Sequence, residues 1–432
     1  MSIRSESEPQ PAVELSPVPA QRGLIQRVAD RFPAVESYAY SDFRWLWLGA
    51  LTSYLGMNMQ WITRSWLVIE LADASPLALA SVIVTFALPM TVISPIGGVL
   101  ADRFSRRKMM LYTQAGNAVL TLAVGVLDFA GVIELWHVIV SGLINGSLMA
   151  FNMPSRQAMV SDIIPQSKLM NGMSLMSSAM NVTRIIGPAI AGVLIIFVGT
   201  EGVFFLISAV YLTAFLAILP IKVGNEGKER SGKSMYGDII AGLAYARSAS
   251  PLFGLIIMSF IPILFGMSLY ALMPAWAWES LQVGSDNLGG LYAVMGVGAL
   301  MGSLGLASMP RFKRRGMLLL GSCVIWGILL ATVAKMGSYA VVMPLLLVMG
   351  LVSSMFMSLI MTLVQTYTSA EMRGRMMSIV MMTFGAMPLS ALPLGALAEQ
   401  IGSGNALFAS GIMLAVFTVV FAIVYPSFLK IK

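Results

Sequence analysis

The stretch Arg103-Phe104-Ser105-Arg106-Arg107-Lys108-Met109-Met110-Leu111 returns 208 residues later as Arg311-Phe312-Lys313-Arg314-Arg315-Gly316-Met317-Leu318-Leu319. A second echo, Met173-Ser174 against Met377-Ser378, has nearly the same offset, 204. Repetition at so long a period marks two copies of one large unit. Both basic stretches sit between long apolar runs. Of the 432 residues, 57% are hydrophobic and 11% charged, whereas soluble domains carry about 25% charged residues. Too few charges remain to cover a water-facing surface, so the solvent of this chain is lipid.

A spanning helix needs roughly 20 mostly apolar residues, and in hydrocarbon the backbone must satisfy its own hydrogen bonds. Barrel strands would alternate apolar and polar residues, but runs such as Ala340–Leu363 are unbroken. The sequence predicts an all-α membrane protein. Twelve spans are expected, at 44–70, 77–101, 109–131, 135–158, 168–197, 202–221, 251–278, 286–309, 317–336, 339–367, 374–400 and 404–428. They divide into two pseudo-symmetric six-helix bundles, 41–222 and 251–428, joined by a polar linker, 223–250.

Charge sorting orients the spans. Arg103, Arg106, Arg107 and Lys108 share one side with Arg311, Lys313, Arg314 and Arg315 and with the basic linker. The other side collects Glu70, Asp73, Asp128, Glu134, Glu201, Glu279, Asp286 and Glu399, with Lys335 its basic exception. The positive-inside rule then places both termini in the cytoplasm. Residues 1–40 read as a disordered cytoplasmic tail without a signal-peptide core, and Arg22–Phe32 as a short interfacial helix.

Several functions are excluded. One cysteine (Cys323) and one histidine (His137) leave no disulfide framework within the chain, no thiol metal site and little scope for histidine catalysis. No metal or cofactor is expected, and no enzyme motif or midplane carboxylate pair is present. The net charge of +7 does not indicate nucleic acid, because it is gathered in loops. Gly227-Lys-Glu-Arg-Ser-Gly232-Lys233-Ser234 matches a phosphate-binding loop letter for letter. It lacks the strand before it and the helix after it, so ATP is not a partner.

Gly98-Val-Leu100-Ala101-Asp102-Arg103-Phe-Ser105-Arg106-Arg107 resembles the loop between helices two and three of the major facilitator superfamily, with Ser105 in place of glycine. Serine takes positive φ less freely, which predicts a slightly weakened turn. Gly187-Pro188-Ala-Ile-Ala191-Gly192 is similar to the fifth-helix motif of its exporters. With Arg184, Pro154-Ser-Arg156 and Asp162-Ile-Ile-Pro165 it looks like the branch of drug and siderophore exporters. The resemblance implies the family's fold, alternating access, residence in a bacterial cytoplasmic membrane and proton-coupled export. It implies a small-molecule substrate, protons and lipid as partners, and a monomer. Import of a nutrient or lysophospholipid on the same fold is the nearest rival.

The resemblance also assigns residues. Gly98, Asp102, Arg103, Arg106, Arg107, Asp162 and Arg373 would form a conformational latch. In it Asp102 faces the start of the eleventh helix, and the basic cluster pairs with Asp162. Arg184, Gly187, Pro188 and Gly192 would form the exporter bend of the fifth helix. Ser53, Met57, Gln60 and Arg64 share one helical stripe. Family geometry turns that stripe toward a central cavity, where an anionic substrate group is one partner for Arg64. Snorkelling to the interface or pairing with Glu70 is the other reading. Trp61, Asn145, Asn152, Tyr270, Met357 and Gln365 complete the candidate cavity, although the amides also suit interhelical glue and the methionines plain packing. No acidic residue falls in the middle third of an expected span.

Overall fold

Apolar runs this long form helices because hydrocarbon offers no other partner to the backbone. The computed structural model describes residues 33–103, 105–223, 244–247, 250–307, 314–369 and 372–431. The helices are α1 (Ser41–Leu71), α2 (Pro76–Arg103), α3 (Arg106–Phe129) and α4 (Leu135–Ile163). The 50-residue run Leu169–Ile218 then breaks at Gly199, whose φ of +68° favours a residue without Cβ, giving α5 (169–198) and α6 (200–218). α7 (250–281) is assembled from Ser250–Leu264, Ser268–Trp276 and a π-helical turn, Ala277–Leu281. α8 (Ser285–Ala307), α9 (Arg315–Ala334) and α10 (Tyr339–Tyr367) follow. α11 (373–401) joins Arg373–Thr383 to Met387–Ile401 through a 3-10 turn, and α12 is Ser403–Val424.

Every helix end lies within five residues of an expected one. Nine helices among the described residues are long and apolar enough to cross a membrane, with Leu169–Ile218 serving for two spans. The charged α1 and the broken α11 complete the twelve. No strand occurs among the described residues. The outer faces carry exposed Phe129, Phe197 and Ile423, at 74%, 76% and 72% exposure. Rings and branched side chains left this open belong against lipid.

The two halves, α1–α6 and α7–α12, pack alike. α2 lies on α4 and α3 on α6; six helices later α8 lies on α10 and α9 on α12. The halves meet along α2–α11 and α5–α8, two contacts exchanged by the same six-helix shift. At the second, Gly192 lies so close to α8 that a Cβ would strike the Ser285 carbonyl oxygen. A Cβ on Gly289 would come within 2.5 Å of the Pro188 oxygen.

Two details differ from expectation. Pro33–Ala39, inside the expected tail, forms a 3-10 turn. Ser37 is fully buried there and gives its N–H (3.1 Å) and hydroxyl (2.6 Å) to Asn171 Oδ1 at the start of α5, while Glu36 pairs with Lys168. α4 also runs to Ile163, so Asp162 ends a helix instead of lying in a loop. The interfacial helix at Arg22–Phe32, the phosphate-loop look-alike at 227–234 and the basic residues Arg311 and Lys313 lie outside the described residues.

Candidate functional site

α1 carries the stripe that organises the site. Met57, Gln60, Trp61 and Arg64 line a cavity of about 160 Å³, closed by Val82, Ile83 and Phe86 of α2 and Asn145 of α4. Gln60 is committed to the protein: it accepts from the Tyr211 hydroxyl (3.2 Å) and donates to Thr121 Oγ1 (3.2 Å). Asn145 Nδ2 donates to Asn117 Oδ1 at 2.8 Å. Arg64 is 5% exposed, and its one hydrogen bond, from Nη2 to the Ser141 carbonyl, is long at 3.4 Å. It neither reaches the interface nor pairs with Glu70, whose carboxylate is taken by Trp66 Nε1 at 2.7 Å.

Deeper in the first half lies a second polar layer centred on Arg156 of α4, which is 2% exposed. Its Nη2 donates to Ser53 Oγ (2.9 Å) and Asn152 Oδ1 (2.6 Å), and its guanidinium sits 4.6 Å from the Tyr54 ring centre. Gln114 also donates to Ser53, and Asn152 donates to Thr113. No carboxylate lies within ion-pair distance of Arg156 or Arg64 among the described residues. Asn152, expected on the cavity wall, is instead fully buried in this layer. Arg156, Gln114, Asn117 and Tyr211 were not singled out from the sequence as site residues. Helical spacing flags the first three: Asn145, Asn152 and Arg156 fall at i, i+7 and i+11, and Gln114, Asn117 and Thr121 at i, i+3 and i+7.

Among the described residues the second half adds none to the cavity lining, although the Tyr292 hydroxyl of α8 lies beside Trp61. Tyr270 packs on Tyr292 (ring centres 6.1 Å apart), Met357 is half-buried on α10, and exposed Gln365 reaches Met377 Sδ at 3.8 Å. Arg184 is exposed on α5 and lies within electrostatic reach of the Tyr270 phenol across the halves. Gly187 lets α5 press on α1, since a Cβ there would meet Asn58 Cβ at 2.7 Å.

At the end where α2 stops, Gly98, Asp102 and Arg103 occupy the last turns of α2 and Arg373 the first position of α11; only their backbone is described. Arg106 Nη1 donates to Asp162 Oδ2 at 2.6 Å, and Arg107 to the Leu219 carbonyl at 2.5 Å. Ser105 does not weaken the turn. Its φ is −58°, and its side chain caps α3 by accepting from the Lys108 N–H.

The opposite end is where the halves close. The Glu399 carboxylate, at the end of α11, accepts from the Ser75 hydroxyl and from the Leu77 N–H (3.2 Å) at the start of α2. Trp66 of α1 meets Trp278 of α7 edge-on, centres 5.8 Å apart, and Ser285 donates to the Gly192 carbonyl at 3.0 Å.

Known proteins match this architecture. The multidrug efflux pump Tap of Mycolicibacterium fortuitum is 24% identical, the match covering 82% of this chain and 88% of that one. The staphyloferrin A transporter of Staphylococcus aureus is 23% identical over 91% of this chain and 97% of its own. The crystal structure of the nucleoside transporter NupG superposes with a TM-score of 0.72 at 12% identity, over 90% of this chain and 99% of that one. At that identity the likeness concerns fold alone. The profile of the transmembrane secretion effector family matches residues 35–428. With twelve helices in two related halves among the described residues, the chain is an integral transporter of the bacterial cytoplasmic membrane, not an enzyme, and it belongs to that family of the major facilitator superfamily.

Proposed function

We propose that this transporter exports a lipophilic or amphipathic small molecule by alternating access, with protons moving the other way. The observation that carries the reading is the cavity on α1. Its walls pair Met57, Trp61, Val82, Ile83 and Phe86 with the polar Arg64, Gln60 and Asn145. Mostly apolar surface with a few fixed polar groups suits small amphiphilic ligands, and a cavity of about 160 Å³ takes one end of them. Relatives named as a multidrug efflux pump and macrolide efflux proteins support the direction.

Asp102, in the last turn of α2, is our candidate for the latch, since a helix N-terminus such as that of α11 attracts an anion by about 0.3–1 kcal/mol. The Arg106–Asp162 pair fits the same device. For coupling we assign the carboxylates at helix ends, Asp102, Asp162 and Glu279. Glu279 holds the N-terminus of α12 through the Ser403 N–H and hydroxyl. The test is substrate flux in vesicles of known orientation, with and without an imposed proton gradient. Export that collapses with the gradient supports the proposal. Uptake in the cytoplasmic direction, or flux indifferent to the gradient, sinks direction or coupling respectively.

A further inference from the structure

The α1 cavity is lopsided in its chemistry. Of the side chains that line it, Arg64 holds a buried nitrogen, Nε, with no acceptor among the described residues, whereas the Trp61 indole N–H lies against the Tyr292 hydroxyl of α8. Asn117 Nδ2, on the residue that Asn145 bonds behind the wall, is a second donor without an acceptor among the described residues. The lining's other long amide, Gln60, has both ends engaged by Tyr211 and Thr121. Among the described residues no aspartate or glutamate lines the cavity. Arg64 is therefore a cation nineteen-twentieths buried, with one long hydrogen bond and no counter-ion among those residues. A guanidinium in such a place is expensive unless something negative shares it.

We propose that this cavity receives an anionic oxygen group, of the carboxylate class, carried by the exported amphiphile, with Arg64 as its donor. This rests on the export reading and specifies its substrate. About 160 Å³ accommodates such a headgroup but not a drug-sized molecule. The apolar body remains outside it, against neighbouring apolar surface. Charged donors form the stronger hydrogen bonds, and a guanidinium presents a fork matched to a carboxylate. A cationic headgroup would instead meet Arg64 across the same small space.

The test uses the full chain in lipid nanodiscs, with empty discs subtracted. Three probes share one body: 1-pyrenebutyrate, its methyl ester and 1-pyrenemethylamine. The carboxylate binds about tenfold or more tighter than the other two, as expected for a charged hydrogen bond in a buried site. Arg64→Gln removes that preference and Arg64→Lys keeps part of it. Equal or tighter binding of the ester or amine by the wild type overturns the inference, as does an undiminished preference in Arg64→Gln. Should Arg64→Gln fail to fold, the wild-type ranking and Arg64→Lys decide. Flux of the same probes separates the two readings. Selective binding without outward movement leaves this inference standing and removes export. Outward movement of the amine, bound as tightly as the acid, does the reverse.

Discussion

Arg156 sets a residue-scale problem, because a guanidinium with no counter-ion among the described residues should not be retained for stability. Insertion scales charge about 2.5–3.5 kcal/mol for arginine at a helix centre. Against this stand its hydrogen bonds to Ser53 and Asn152 and its contact with Tyr54. The bond to Ser53 joins two helices, and such bonds average about 0.6 kcal/mol in membranes; the bond to Asn152 lies within α4, and a desolvated cation–π contact gives about 2. The two sides nearly cancel. Arg156→Gln, which can still donate to Ser53, should therefore keep the thermal midpoint in detergent within a few degrees, or raise it, while transport falls. A large drop in the midpoint would make Arg156 a structural strut. The sequence announced this residue only as part of a Pro-Ser-Arg motif. Spacing puts Arg156 on one face of α4 with Asn145 and Asn152, but that this face turns toward α1 and α3 is set by packing between helices.

At the scale of elements, helix ends do the closing. α11 ends on Glu399, and α2 begins at its carboxylate with Ser75 and Leu77. An anion at a helix N-terminus contributes about 0.3–1 kcal/mol, a factor of roughly two to five in an equilibrium. Glu399→Gln should shift the molecule by that factor toward opening at this end. The readout is labelling of Ala80→Cys by an impermeant maleimide. Ala80 is fully buried against Gly395 of α11, and the native Cys323 is buried and gives little background. Unchanged labelling would remove Glu399 from the closure. Gly192→Leu tests the partner contact. The added side chain has nowhere to go but into Ser285 and Gly289 of α8. Overpacking of this kind costs about 1–3 kcal/mol. If the halves move as units, the wedge at α5–α8 also exposes Ala80→Cys at α2–α11, more than Glu399→Gln does. Helix existence was legible in apolar run length, and helix ends in charge and glycine. The breaks within α7 and α11 fall at Gly266 and at Gly385 before Pro388, local signals outweighed by the length of the apolar runs.

For the whole molecule, the repeat at 208 residues foretold the architecture, since one packing scheme written twice makes two similar bodies with a seam between them. It could not foretell where the seam is shut. Among the described residues, Glu399 on Ser75, Trp66 on Trp278 and Ser285 on Gly192 all join the halves near the same end. Toward the other end α5 carries exposed Ser177, Asn181 and Arg184. Polar groups at this depth are tolerated against water or protein, not lipid. The arrangement is that of a molecule closed at the acidic end. If alternating access operates, that closure must open in every cycle. Trp66→Cys with Trp278→Cys, bridged by a short bifunctional thiol reagent, should therefore abolish transport, and a cleavable bridge should restore it on reduction. Each single variant treated alike controls for modification itself. Bridged protein that still transports at the original rate would mean that the halves do not separate at this end, and the alternating-access mechanism would have to be given up.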